Sequence, residues 1–242
     1  MTIIFAVLFY FAAGLFAVGL SYRIYTYART PAPLKIPTTP APRTQFGVVM
    51  LMAREVFLFQ SLFKGSIWTW LFSMMFHAGL ALVLLRHLRY FIDPVWSWVN
   101  FIQPFGIYAG FLMVAGLAGL WARRFLVDRV RYISTPSDHL MLALLISIGA
   151  TGLTMKFVSH TDIVAVKDFF MGLMNFSISP LPTDPLIYLH LSMIALLMII
   201  FPYSKLLHAP GLFFSPSRNQ VENSRDKRHI SAWAAKLESG KQ

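Results

Sequence analysis

With 242 residues, 57% of them hydrophobic and only 13% charged, and a mean hydropathy of +0.61, the chain is too apolar for a water-soluble domain of its length, and the bilayer is its expected solvent. The absence of cysteine excludes disulfides, thiolate metal sites, iron-sulfur clusters and thioether-linked haem; a redox group must be held by histidine, methionine or non-covalent contacts, and iron-sulfur chemistry must belong to a partner. The net charge of +11 comes from basic residues flanking apolar stretches, which points to membrane lipid and not to nucleic acid.

About 20 apolar residues cross the hydrocarbon core, and five stretches predict such spans: 2–22, 66–86, 104–121, 138–157 and 185–207. The first has no basic residue ahead of its apolar run and is followed at once by Arg23, so it is expected as an uncleaved helix and not a signal peptide. After it, TPAPLKIPTTPAPR places five prolines in a short stretch that should be extended and close to polyproline II. Residues Phe46 to Phe63 then read as one amphipathic helix at the inner membrane face, anchored by Arg54 and Lys64. The third span can extend toward Asn100 through Phe101 and Ile102. Ahead of the fourth, STPSDH reads as a helix start, with Ser137 or Thr135 as cap and Pro136 near the first turn. The chain after Pro210 is polar and basic, expected to be disordered alone or ordered by a partner.

Lysine and arginine concentrate in 23–65, 122–137 and 205–242, with 6, 4 and 7 respectively. The positive-inside rule then places the N-terminus outside and the C-terminus in the cytoplasm, a parity that five spans satisfy. The expected fold is an all-α membrane protein of five transmembrane helices, with a membrane domain over 1–208 and a basic cytoplasmic tail over 209–242. No phosphate-binding loop or HExxH zinc pair occurs, and the interiors of the five spans contain no Asp or Glu, which argues against an acidic transport pathway.

The ionisable chemistry of the membrane region is histidine. Seven occur: His77, His87, His139, His160, His190, His208 and His229. A single membrane histidine is readily explained as a hydrogen-bonded packing residue or an interfacial side chain. Four on two spans, two toward each side, are harder to explain that way. His77 lies mid-span and His87 at the outer end of span two; His190 lies near the outer start of span five and His208 at its inner end. The antiparallel sense of these spans pairs His77 with His208 on the inner side and His87 with His190 on the outer, as iron ligands of two bis-histidine haems. On an ideal helix His190 and His208 share one face about 27 Å apart, while His77 and His87 stand about 15 Å and roughly 80° apart. Ala78, Gly79, Ala81, Ser192 and Ala195 would leave room for a macrocycle, though ordinary close helix packing also uses such residues. Ser73 and Ser204, each four residues before an inner ligand, are candidates to orient His77 and His208. Arg86 and Arg89 are the candidate propionate cations of the outer site, with Lys205, Arg54 and Arg123 or Arg124 near the inner one.

The segments F-H-A-G-L-A-L-V-L-L-R-H (76–87) and H-L-S-M-I-A-L-L-M-I-I-F-P-Y-S-K-L-L-H (190–208) resemble the gamma subunit family of respiratory nitrate reductase, a membrane cytochrome b with the same two histidine spacings and five spans. The resemblance implies two haems b, with His77 and His208 around the cytoplasmic-side haem and His87 and His190 around the outer one, in a multi-pass protein of a bacterial or archaeal cytoplasmic membrane. Two departures stand out: Arg86 replaces the family's glycine before the outer ligand, and no lysine occurs between Lys64 and Lys156. The short chain, the proline-rich first loop and H-A-P-G-L-F-F-S-P instead resemble the DsrM-type subunit of the sulfite-reductase-linked membrane complex. That similarity implies a cytoplasmic iron-sulfur subunit, a second quinone-interacting membrane subunit and periplasmic redox subunits as partners.

The expected function is electron transfer, in dissimilatory sulfur metabolism, between menaquinone or ubiquinone and an iron-sulfur centre. His160, Asp93, Asp162 and Asp184, with Tyr90 as a donor, are candidate protonatable groups for the quinone. The alternatives are a gamma subunit of a nitrate-reductase-type enzyme and a haem-free anchor or transporter subunit. The cytochrome b of a hydrogenase or formate dehydrogenase ranks lower, because its histidine spacing differs.

Overall fold

The computed structural model describes residues 1–31, 37–223 and 225–240, and all regular structure among them is helical. The middle of the proline-rich stretch, 32–36, lies outside the described residues, so the polyproline expectation is not addressed there. Five helices have the length and apolar content to cross a membrane: Thr2–Arg29, Ile67–Tyr90, Ser97–Leu126, Pro136–Ser159 and Pro185–Tyr203. Each matches one predicted span, and the third is longer than its apolar core suggested. The chain divides into two compact units, one of Met1–Leu15 with Leu62–Ile200, the other of Phe16–Ser61 with Phe201–Gln242.

The first unit holds the start of α1 (Thr2–Arg29), then α4 (Ile67–His87), α5 (Ser97–Leu126), α6 (Asp128–Tyr132), α7 (Pro136–Thr154), α8 (Ile163–Met174) and α9 (Pro185–Ile200). Helices α4 and α5 approach backbone to backbone. A Cβ on Gly79 would meet Met113 N at 2.7 Å and Ala109 O at 2.8 Å; one on Gly116 would meet Phe76 N at 2.6 Å and Phe72 O at 2.7 Å. In lipid, where burial of apolar surface does not drive helices together, such close contact supplies the attraction. Gly79 is therefore consumed by helix packing and leaves no space for a macrocycle, which corrects that expectation. Phe76, Met113 and Leu117 form a core with Leu142, Leu145 and Ile146 of α7.

Helix α7 begins as its sequence predicts. Thr135 is the cap, Pro136 occupies the first turn and Asp138 returns a bond to the Thr135 N–H. The connection between the fourth and fifth spans holds a helix the sequence reading did not separate. Asp162 caps α8 through Val164 N and Ala165 N, and α8 buries Val166, Phe169, Gly172 and Leu173. Its apolar face packs with Phe5, Ala6 and Phe9 of α1 and Ile187 and Leu191 of α9.

The second unit contains the rest of α1, α2 (Gln45–Leu58), the start of α3 (Gln60–Gly65), α10 (His208–Gly211) and α11 (Ala232–Ser239). The single amphipathic helix expected over 46–63 is two helices, because Phe59 adopts a left-handed conformation (φ 47°) that ends α2. The chain after Pro210 also departs from expectation. Thr38 N–H donates to Ser217 O and Glu222 N–H to Pro42 O, both at 2.8 Å, tying the tail to the chain's own proline-rich segment. The buried Glu55 accepts from the Ser61 hydroxyl and pairs with Arg218 at 3.1 Å.

Candidate functional site

The four candidate ligands, His77 and His87 on the second span, His190 on the fifth and His208 on α10 beyond it, share one local feature. His77 Nδ1 lies 2.8 Å from Ser73 O, His87 Nδ1 2.7 Å from Val83 O and His208 Nδ1 2.9 Å from Lys205 O. A carbonyl only accepts, so each Nδ1 carries the proton and the ring's lone pair sits on Nε2. His190 Nδ1 is 2.9 Å from Thr151 Oγ1, whose own proton goes to the carbonyls of Ser147 and Ile148. The hydroxyl is then the acceptor, and His190 takes the same tautomer. This arrangement suits an axial iron ligand, which needs a neutral ring fixed by a bond from its other nitrogen.

His139 is the contrast. Its Nδ1 accepts from Trp121 Nε1–H at 3.0 Å, which forces the opposite tautomer, and its ring lies 5.0 Å from that of Phe125. His160 has the same Nδ1-to-carbonyl contact, 3.1 Å to Val158 O, but is exposed in a left-handed turn (φ 51°) after α7, and His229 Nε2 is bonded to Asn223 Oδ1. These three belong to packing, loop and tail.

The orienting groups differ from the sequence expectation. At His77 the Ser73 carbonyl acts, not the hydroxyl. The Ser204 hydroxyl donates to Phe201 O and accepts from Leu206 N–H, capping a 3-10 turn, while Lys205 orients His208. Thr151 was not anticipated. Its signal was depth: it lies near the end of the fourth span as His190 lies near the start of the fifth, so antiparallel neighbours place them at one level.

The continuity of span five also changes. Helix α9 stops at Ile200, and 3-10 turns at Phe201–Tyr203 and Lys205–Leu207 precede α10, which opens on His208. The common face and 27 Å interval of an ideal helix therefore do not apply, because Pro202 and the Ser204 cap break the α-helical repeat.

Gly152 of α7 faces the His190 ring, which lies 3.5 Å from where its Cβ would stand. Arg86 lies along α5 at Gly106, where a Cβ would meet Arg86 Cβ at 2.7 Å and Cδ at 2.8 Å. The missing side chain on α5 makes room for the arginine that stands where the resembling family has glycine. Arg86 Nε is buried and has no hydrogen-bond partner among the described residues, a costly state that an anionic group would relieve. Arg89 instead donates to Gln103 Oε1 at 3.3 Å and packs over the Tyr90 ring, which lies 5.6 Å from that of His87.

Of the other outer candidates, Asp162 is the α8 cap, and Asp184 accepts from Leu186 N–H at the start of α9 and from the Thr161 hydroxyl. Asp93 pairs with Lys167 at 2.6 Å, and both line a cleft of about 370 Å³ with Arg89 and Asp168. Among the described residues no group of three or more His, Asp or Glu could hold a metal ion. A haem takes four of its iron ligands from the macrocycle, so that absence does not bear on one.

Residues 60–220 match the family described as nitrate reductase gamma subunit. A protein of Archaeoglobus fulgidus named Hdr-like menaquinol oxidoreductase cytochrome b-like subunit is 36% identical, over 93% of this chain and 81% of the relative. Its namesake in Archaeoglobus profundus is 31% identical, over 95% and 82%. The respiratory nitrate reductase 2 gamma chain of Escherichia coli is 26% identical, over 69% and 81%. With five helices able to span a bilayer, the chain is a multi-pass protein of the cytoplasmic membrane.

Proposed function

This chain belongs to the nitrate reductase gamma subunit family, and on that premise we propose that it is a cytochrome b subunit carrying electrons between menaquinol and a cytoplasmic iron-sulfur partner through two haems b. His77 and His208 hold one haem, and His87 and His190 the other. The observation that carries this reading is the shared tautomer, four rings with Nδ1–H anchored and the lone pair on Nε2. Bound haem supplies reversible one-electron chemistry at iron. The chain's residues fix the rings and place charge: Arg86 offers its buried Nε to a propionate of the outer haem.

The N-terminus lies outside, so His87 and His190 face the outer side. Quinol releases two protons with its two electrons. The reading assigns that release to the outer end, where Tyr90 adjoins His87 and Arg89, Asp93, Lys167 and Asp168 line the cleft. The relatives named Hdr-like menaquinol oxidoreductase cytochrome b-like subunit cover more of the chain at higher identity than the nitrate reductase gamma chain, which favours an Hdr-like assembly; the proposed role in sulfur metabolism rests on the resemblance of H-A-P-G-L-F-F-S-P to the DsrM-type subunit. A second membrane subunit and periplasmic redox subunits complete the proposed complex.

A reduced-minus-oxidised spectrum with a haem assay on the purified chain tests this. Two b-type haems per chain are expected; none or one defeats the dihaem reading. Copurification of an iron-sulfur protein with the intact chain, and its loss on truncation at Pro210, tests the docking of that partner on the tail.

A further inference from the structure

We propose that α2 is an interfacial foot whose apolar stripe of Phe46, Val49, Met50 and Phe57 inserts into an anionic lipid surface. On a helix of 3.6 residues per turn these four and Ala53 fall within an arc of about 100°. Phe46, Val49, Met50 and Phe57 are 74, 63, 41 and 73% exposed. The opposite face is the one held by protein, through Val48 and through Glu55 with its bonds to Ser61 and Arg218. The helix is thus presented with its charged contact inward and its apolar side outward. Four large apolar side chains in one row on water would be an unfavourable surface, and they need a covering phase.

Two features select lipid. In sequence α2 lies between two membrane spans, its last residue nine positions before Ile67, a reach of at most about 32 Å even if fully extended. The segments 16–61 and 201–242 together contain twelve Lys and Arg against four Asp and Glu; the exposed Arg43 precedes the stripe and the exposed Arg54 lies one turn before Phe57. Basic residues flanking an apolar helix face draw it to anionic headgroups. The inference is independent of the haem assignment.

The chain has no cysteine, so single spin labels introduced by Phe46→Cys, Met50→Cys and Phe57→Cys in the full chain report the environment of each position. With the chain in nanodiscs containing anionic lipid, collision with oxygen, which concentrates in lipid, is expected to exceed collision with a water-soluble nickel chelate at all three. A label at Ser239→Cys should show the reverse. Replacing the anionic lipid by a zwitterionic one should lower the oxygen preference along the stripe; no change removes the role assigned to Arg43 and Arg54. Dominant nickel collision at the stripe, or little collision with either reagent because protein covers it, overturns the proposal. Arg218→Ala, which removes the ion pair of Glu55 with the tail, should weaken the oxygen preference at Phe57, and an unchanged preference overturns the tail's part in presenting the stripe.

Discussion

His190 and His208 stand eighteen residues apart, yet different parts of the molecule orient their rings. His190 lies inside α9, and its Nδ1–H reaches the hydroxyl of Thr151, 39 residues away on α7. His208 opens a four-residue helix after two 3-10 turns, and its Nδ1–H returns to Lys205, three residues back. The Nδ1–H of His190 is met by a neighbouring helix, whereas the Nδ1–H of His208 is met by the turn it sits on.

The largest expected effect separates the two proposed pairs. His190→Ala should lower haem from two per chain to one, sparing the pair of His77 and His208, and His77→Ala should do the converse. A pyridine haemochrome assay on each purified variant measures this, and equal loss from His139→Ala would contradict the pairing. Next, Thr151→Val removes the acceptor from another helix. Loss of such a second contact typically costs about 10- to 100-fold in metal affinity, here read as faster loss of one haem to a scavenger protein, with Thr151→Ser restoring retention. If retention is unaffected, His190 is held no differently from His208 and the contrast fails.

Arg86→Gln takes a positive charge from the outer pair. Redox titration should show the outer haem moving to lower potential while the inner one stays in place, since a nearby cation favours the reduced form. The smallest effect concerns Ser204→Ala. It removes the cap of a turn, a loss of about 1 kcal/mol in thermal or denaturant unfolding, but leaves the Lys205 carbonyl on His208, so the haem count should not change. Loss of the inner haem would show that the ring depends on Ser204 after all.

The five spans were legible because an apolar run of bilayer length is a one-dimensional signal, and the family because His77, His87, His190 and His208 keep its two spacings. The start of α7 was equally readable, since Thr135, Pro136 and Asp138 act within a single turn. Helix α8 was missed although Asp162 and the apolar positions 166, 169, 170 and 173 mark it, because it is too short to register as a span. Gly79 was misjudged: a glycine beside a ligand looks the same in sequence whether it faces a cofactor or another helix.

By itself the sequence determined which five segments are long and apolar enough to cross a membrane and that His77, His87 and His190 sit on them, because hydropathy and spacing are properties of the chain in order. The tertiary structure decided what holds each ring, since a hydroxyl on α7 or a carbonyl one turn away leaves no periodic trace. It also decided the breaks after Ile200 and at Phe59, and the closure of the tail onto Pro42 and Glu55. Those features depend on where hydrogen-bonding groups meet in space. Adjacency of that kind is absent from the order of residues.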